Sequence, residues 1–259
     1  MFMLNYSLYG NSGAPAVCLI HGYGETSIVW TSLVESLENS YRVLVIDLPG
    51  FLNSPLTEAN SLAQMAEDIH VVLEKEDMSQ AVLLGHSMGG YIGLEFCAKF
   101  PESVKGFGMI HSTANADSVE KSQGRRKTID FLRKSPLESY AKLFAPNLFA
   151  EQNRSNQEWI KAAFDSAMGC TNEGLINAME AMISRTDNNK VYSDLDIPYL
   201  FVVGRYDEMV PMSDMLKQAA SCRRSMSEIF NESGHLAMVE EELKLKKVVK
   251  DYLNWVYRD

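Results

Sequence analysis

Ser87 stands in Gly85-His86-Ser87-Met88-Gly89, directly after the apolar run AVLL at 81–84 and directly before GYIGLEFCAKF at 90–100. A buried strand, a sharp turn and a helix form the context in which a Gly-x-Ser-x-Gly serine does nucleophilic chemistry. At such a turn the serine takes strained backbone angles and its Oγ projects above the sheet edge. Glycines at 85 and 89 remove the side chains that would strike the adjoining strand and helix. A glycine-rich turn carrying an incidental serine is the bland reading, and the strand and helix on either side argue against it.

A serine hydroxyl is a weak nucleophile until a base takes its proton. The chain has five histidines. His70 falls within an amphipathic helical pattern, His86 adjoins the serine and points away from it, His21 belongs to a Gly-rich loop, and His111 ends a strand. His235, in Glu232-Ser233-Gly234-His235-Leu236, occupies the turn between the strand-like Met226–Phe230 and the last helix, and is the expected base. The base in turn needs a carboxylate to set its tautomer and stabilise the imidazolium. Asp207, in Gly204-Arg205-Tyr206-Asp207-Glu208, is the first carboxylate after the apolar run 199–203. Glu208 and Asp117 are its rivals, and a solvated loop carboxylate is the bland alternative.

The elements that must position these groups read as strands alternating with helices. Apolar runs at Ala16–Ile20, Arg42–Ile46, Ala81–Leu84, Val104–Ile110 and Tyr199–Val203 have the character of buried parallel strands. Helical periodicity marks Trp30–Leu37, Leu62–Leu73, Tyr91–Phe100, Met212–Ala220 and Leu236–Val256. The pattern predicts an α/β fold, a mostly parallel sheet with helices on both faces. From 112 to 190 no strand pattern occurs, and helical patterns recur at Ser122–Arg133, Leu137–Phe144, Gln157–Met168 and Gly174–Arg185. The expected organisation is a core of 1–111 and 191–259 with a helical cap, 112–190, inserted between two strands. That insertion holds 11 basic and 10 acidic residues, whereas the remainder holds 13 and 24, so the cap is near neutral on a strongly acidic core. A helical decoration that never meets substrate is the alternative.

Taken in order, HGYG at 21–24, DLPG at 47–50, GHSMGG at 85–90, GRYDEMVP at 204–211 and SGH at 233–235 resemble the α/β-hydrolase superfamily, in particular its small cap-bearing, esterase-like serine hydrolases. The resemblance spans nearly the whole chain. It implies a Ser87-His235-Asp207 triad and an oxyanion hole made by the backbone N–H groups of Tyr23 and Met88, with no cofactor. One departure lies after DLPG, where many relatives have a second glycine two residues on and this chain has Leu52, leaving the shape of that loop open. Aspartate at the nucleophile position marks related dehalogenases and epoxide hydrolases, and Ser87 argues against both.

Composition narrows the rest. With 46% hydrophobic residues the chain of 259 can bury a large core. A net charge of −10 lacks the basic surface that nucleic acid requires, so small neutral or modestly charged ligands fit better, and the resemblance implies that the partner is a small acyl substrate. The four cysteines, Cys18, Cys97, Cys170 and Cys222, form no paired motif and read as reduced core thiols; no histidine cluster suggests a metal. The start, MFMLNYSLYG, lacks the charged n-region of a signal peptide and no apolar run is long enough for a membrane span, which predicts a cytoplasmic protein with no membrane partner. The expected reaction is hydrolysis of a small carboxylic ester or thioester through an acyl-enzyme on Ser87. The same scaffold also supports carbon–carbon bond hydrolases, lyases and small-molecule sensors. Within the cap, Trp159, Phe164 and Met168 suit an apolar acyl pocket or the cap's own core, and Arg125 or Arg126 is a candidate to face the pocket and favour an anionic substrate group.

Overall fold

A computed structural model of the chain describes residues 3–56 and 61–258. Seven strands, β1 (Tyr6–Tyr9), β2 (Ala16–Ile20), β3 (Arg42–Ile46), β4 (Ala81–His86), β5 (Val104–Ile110), β6 (Tyr199–Gly204) and β7 (Ser225–Phe230), form one sheet in the order β1-β3-β2-β4-β5-β6-β7. All neighbours pair in parallel except β1, which runs antiparallel to β3 with Tyr6 opposite Ile46. The central strands are buried on both faces, which is why they read as unbroken apolar runs. Along β2, Cys18 and Ile20 enter one apolar layer, and Val17 and Leu19 enter the other. The edge strand β1 has no apolar run because most of it faces solvent, and sequence periodicity passed over it.

Helices α1 (Thr31–Leu37), α2 (Leu62–Lys75) and α3 (Met88–Lys99) connect the first strands. The Ser61 hydroxyl starts α2 by accepting the Gln64 N–H. Between β5 and β6 the described chain forms helices, α4 (Val119–Leu132), α5 (Leu137–Phe144), α6 (Gln157–Met168), α7 (Asn172–Ser184) and α8 (Val191–Asp194), with short 3-10 turns and one isolated bridge from Phe51 to Cys170. Ser118, Asn156 and Thr171 cap α4, α6 and α7 through side-chain oxygens. After β6 come α9 (Met212–Ser221), α10 (Ala237–Glu240) and α11 (Glu242–Arg258). The single tail helix expected over Leu236–Val256 is therefore two helices. The chain leaves helical angles at Glu241, and the break points two carboxylates back at the turn before α10. Glu240 Oε2 accepts the N–H groups of Gly234 and Leu236, and Glu241 Oε2 accepts the Glu232 N–H and the Ser233 hydroxyl.

Leu52, two residues after the DLPG segment, sits in the left-handed region at φ 45°, a conformation costing an L-residue about 1–2 kcal/mol. The loop keeps the glycine-type turn without the glycine. Its N–H donates to the Gly169 carbonyl at 2.8 Å, tying the turn to the end of α6. Among the described residues no helix is long and apolar enough to cross a membrane. All four cysteines are free, three of them buried and Cys222 half-buried.

Candidate active site

Ser87 lies between β4 and α3 with φ 49° and ψ −114°. A non-glycine residue held there stores on the order of 1–3 kcal/mol of strain, sustained only where the surroundings over-determine it. Here the Ser87 N–H donates to the Ile110 carbonyl at 2.9 Å and the Ser87 carbonyl accepts the Ser112 hydroxyl at 2.7 Å. The flanking glycines are needed for space: a Cβ at Gly89 would run into the Ile20 carbonyl, and one at Gly85 into the Gly89 backbone. The loop after β2 comes just as close, since a Cβ on Gly22 would stand 3.1 Å from that of Ser87. Tyr23, next in that loop, and Met88, the first residue of α3, are thus both beside the serine. The N–H of Met88 opens its helix and has no partner four residues back.

His235 and Asp207 meet at the same edge. His235 Nδ1 donates to Asp207 Oδ2 at 2.8 Å, and His235 lines a cavity of about 470 Å³ together with Ser87, Tyr23, Tyr91, Tyr140 and Arg125. Asp207 is saturated with donors. Its Oδ1 accepts the N–H groups of Met209 and Val210 at 2.8 and 3.0 Å, and its Oδ2 accepts a second imidazole, His111 Nδ1, at 3.1 Å. The tautomer of His111 follows, because its Nε2 accepts the Ala237 N–H at 3.3 Å and its Nδ1 must carry the proton. The ligating atoms of His111, Asp207 and His235 lie within 4.8 Å of one another, a cluster these hydrogen bonds account for.

Electrostatics follow from those contacts. Burial pushes the Asp207 carboxyl up, but the His235 charge and the hydrogen bonds from His111 and His235 outweigh it and hold the group well below the carboxylate range. Burial opposes charge on His235, yet the Asp207 charge and hydrogen bond, with Glu25 and Glu240 adding, raise it above an ordinary histidine. Burial lowers His111 to about 4 against the pull of Asp207, so it is neutral near pH 7. His21 is lowered too, mainly by burial. It braces the loop after β2, accepting the Leu48 N–H at Nε2 and donating from Nδ1 to the Gly22 carbonyl.

Two buried histidines with depressed values give an expected stability profile. At His111 the unfolded chain, with histidines near 6.5, binds more protons than the folded one between pH 6.5 and about 4, and His21 acts in the same direction below 6.5. Stability present above 6.5 is therefore lost on acidification, by up to ~1.4 kcal/mol per pH unit for each such proton. His235, raised when folded, has its contribution fully in place below 6.5 and does not offset the loss. Urea midpoints are expected to fall between pH 6.3 and 5.0 and the slope to flatten in His111→Gln; a wild-type midpoint unchanged over that range contradicts the assignment.

The rival carboxylates are occupied elsewhere. Glu208 is exposed and paired with Arg154 at 3.0 Å, and Asp117 holds Arg185 at 2.8 Å and Arg125 at 2.6 Å. His70 stacks on Phe100 with centroids 3.8 Å apart, far from this edge in role. His86 does point away from Ser87, but toward a second carboxylate: its Nδ1 meets Glu25 Oε2 at 2.8 Å and its Nε2 meets the His235 carbonyl at 2.8 Å. Sequence reasoning missed the supporting roles of His111, His86 and Glu25. The one available signal was the placement of His86 and His111 at the same ends of neighbouring strands as Ser87.

On α4, Arg125 lines the Ser87 cavity while Arg126 is exposed. Two readings are open for Trp159, Phe164 and Met168, acyl pocket or the inserted segment's own packing, and none of the three lines the Ser87 cavity. Helix α6 turns its apolar stripe onto the 3-10 turn Ala145–Leu148 and α5, so Trp159 stacks on Phe149 and Met168 stays exposed. The cavity wall instead comes from Tyr23, Tyr140, Phe144, Met179 and Met182.

A model of the alpha/beta hydrolase fold matches residues 15–242. The chain belongs to this family. It is similar to a thermophilic esterase from Thermogutta terrifontis, solved with malate bound, at 26% identity and a TM-score of 0.92 over 98% of this chain and 93% of the other. It is also similar to a 2-hydroxy-6-oxononadienedioate/2-hydroxy-6-oxononatrienedioate hydrolase from Cupriavidus pinatubonensis, 25% identical over 93% of this chain and 88% of the relative. A pimeloyl-(acyl-carrier protein) methyl ester esterase from Aeromonas hydrophila is 24% identical over 92% and 95%. Like them, this chain is a hydrolase of the alpha/beta fold.

Proposed function

We propose that this hydrolase cleaves a small carboxylic ester or thioester by acyl transfer through Ser87, and that the substrate carries an anionic group. The observation that carries the reading is a strained serine sharing one cavity with a histidine whose Nδ1 is held by a buried carboxylate. With Nδ1–H committed to Asp207, Nε2 is the nitrogen that takes the Ser87 proton as Oγ attacks the carbonyl. The oxyanion then sits against the N–H groups of Tyr23 and Met88, each worth on the order of 3 kcal/mol by comparison with single-donor deletions. His235 returns its proton to the leaving alkoxide or thiolate, and a water activated by the same nitrogen releases the acid.

The anionic preference rests on charge balance in the cap. Asp117 is shared between Arg125 and Arg185, so that trio keeps one positive charge, and Lys121 also lines the cavity. The acidic Glu208 at the rim has its own partner in Arg154. Relatives whose names carry a dioate, and a neighbour solved with malate, lean the same way. Replacing Arg125 by Met keeps its stem and leaves Asp117 its other arginine. Removing a charge-assisted contact of about 1.5–3 kcal/mol is expected to raise KM for a carboxylated ester by roughly tenfold or more, with KM for the matching neutral ester little changed. Equal KM effects on both esters retire the anionic subsite and leave the acyl-transfer reading intact. A panel of esters, thioesters, lactones and vinylogous diketones tests the reaction itself, and turnover confined to the diketones favours the carbon–carbon hydrolase alternative.

A further inference from the structure

His111 directly follows β5, and its backbone is in the left-handed region at φ 47°. Its N–H donates to the Val202 carbonyl of β6 at 3.0 Å, and its ring is fully buried. Gly204, at the end of β6, leaves the ring its room: a Cβ there would stand 2.7 Å from His111 Cε1 and closer still to the Gly234 carbonyl. The ring bridges two parts of the site. Its Nδ1 donates to Asp207 Oδ2, the oxygen that also accepts His235 Nδ1, and its Nε2 accepts the N–H of Ala237, two residues after the base.

Asp207 can orient the base without this second ring. Its Oδ2 already fixes His235 Nδ1 as a donor, and the Met209 and Val210 N–H groups hold its Oδ1. What a second donor on Oδ2 changes is the charge left for the first. An N–H aimed at a carboxylate oxygen cancels part of its field, most effectively in a buried site that water does not screen. The same N–H brings its positive end to the oxygen on which the His235 proton rests, with the two ring centroids 5.7 Å apart. Both effects oppose charge on the base. The other ionisable groups around His235 are Glu25 on the loop after β2, His86 at the end of β4 with its ring centroid at 4.9 Å, and Glu240 on α10. Glu208, Lys121 and Arg125 line the cavity it faces. The contact to Asp207 sets His111 apart from all of these.

We propose that His111 is a positioning residue for the base: through Asp207 Oδ2 it restrains the basicity of His235, and through Ala237 it fixes the turn that carries His235. The consequence for rate rests on His235 acting as the base of acyl transfer. A restrained base has a larger share in the neutral, proton-accepting form near pH 7, where Asp207 alone would keep it charged to higher pH. His111 itself stays neutral there, because its Nε2 is already occupied by a donor and burial lowers it to about 4.

Nitrogen NMR of the histidine-labelled whole protein tests this without turnover, with the His235 signals assigned by their loss in His235→Gln. Wild-type His111 should carry its proton on Nδ1 at neutral pH, a measurement that needs no substitution in a buried place. His111→Gln and His111→Asn then separate its two contacts. The Gln amide reaches the place of Nε2 and the Asn amide that of Nδ1, so Gln can keep Ala237 but loses the donor to Asp207, while Asn keeps that donor. In His111→Gln the His235 titration midpoint should rise by roughly half to one pH unit, in keeping with one lost contact to a charged group. The acid limb of fluorophosphonate inactivation should rise with it, and His111→Asn should return both toward wild type. A His111 proton on Nε2, a His235 midpoint unchanged or lowered in His111→Gln, or an equal rise in His111→Asn overturns the proposal. So does a loss of inactivation rate in His111→Gln that is the same at every pH, which marks the ring as packing alone. If wild type does not react with fluorophosphonate while the midpoint still rises, the acyl-transfer reading fails and the restraint of His235 by His111 stands.

Discussion

Ser87→Ala and His235→Ala are each expected to lower kcat by about 10⁶-fold, and the double variant to fall little further. The nucleophile is useless without the base that deprotonates it, and the base has nothing to act on without the nucleophile. What survives both changes is binding and the two N–H groups at Tyr23 and Met88. The check is a set of initial rates on one activated ester, with intact-mass measurement after fluorophosphonate treatment. Wild type should gain one adduct on the peptide carrying Ser87, and Ser87→Ala none. Additive losses, or an adduct that persists in Ser87→Ala, place the chemistry on another residue. Release of acid well beyond one equivalent per chain separates an enzyme from a sensor that merely retains the triad.

Asp207→Asn is expected to cost about 10⁴-fold in kcat, and the structure makes the reason specific. All four contacts of Asp207 come from donors: two backbone N–H groups on Oδ1 and two imidazoles on Oδ2. Asparagine must turn an NH₂ toward one of these pairs. Facing the backbone, it meets two donors that cannot change. Facing the imidazoles, it forces His235 to carry its proton on Nε2, where it cannot accept one from Ser87. His111 resists the same exchange because its Nε2 already accepts from Ala237. The acid limb of wild-type kcat/KM should lie above pH 6.5, since raised His235 must be neutral to act. Glu208→Gln serves as the control and should stay within a few-fold of wild type. Substantial activity in Asp207→Asn together with a collapse in Glu208→Gln reassigns the acid.

Much of this was legible before any coordinates. Five of the seven strands were marked by apolar runs, and β7 by its strand-like segment, because parallel strands covered on both faces carry an uninterrupted apolar signal. Helices α5 and α6 fall at the expected residues because their apolar stripes have a clean helical period and their starts are capped or preceded by proline. The losses share a cause. Edge strand β1 buries too little to leave a pattern, and the break at Glu241 exists for hydrogen bonds to Gly234 and Glu232, which no local propensity encodes.

The sequence by itself determined the candidate positions: a serine forced into a glycine-flanked turn, and one carboxylate and one histidine placed after later strands. Those are consequences of local backbone geometry and chain order, which a linear string carries. Only the tertiary structure decided what surrounds them. Four donors on Asp207, His111 and His86 as braces, Arg125 rather than Arg126 toward the cavity, and Trp159 stacked on Phe149 all depend on contacts between residues many positions apart. Those contacts are set by how the helices between β5 and β6 rest on the sheet edge, and periodicity within one helix specifies which face is apolar but not what that face will meet.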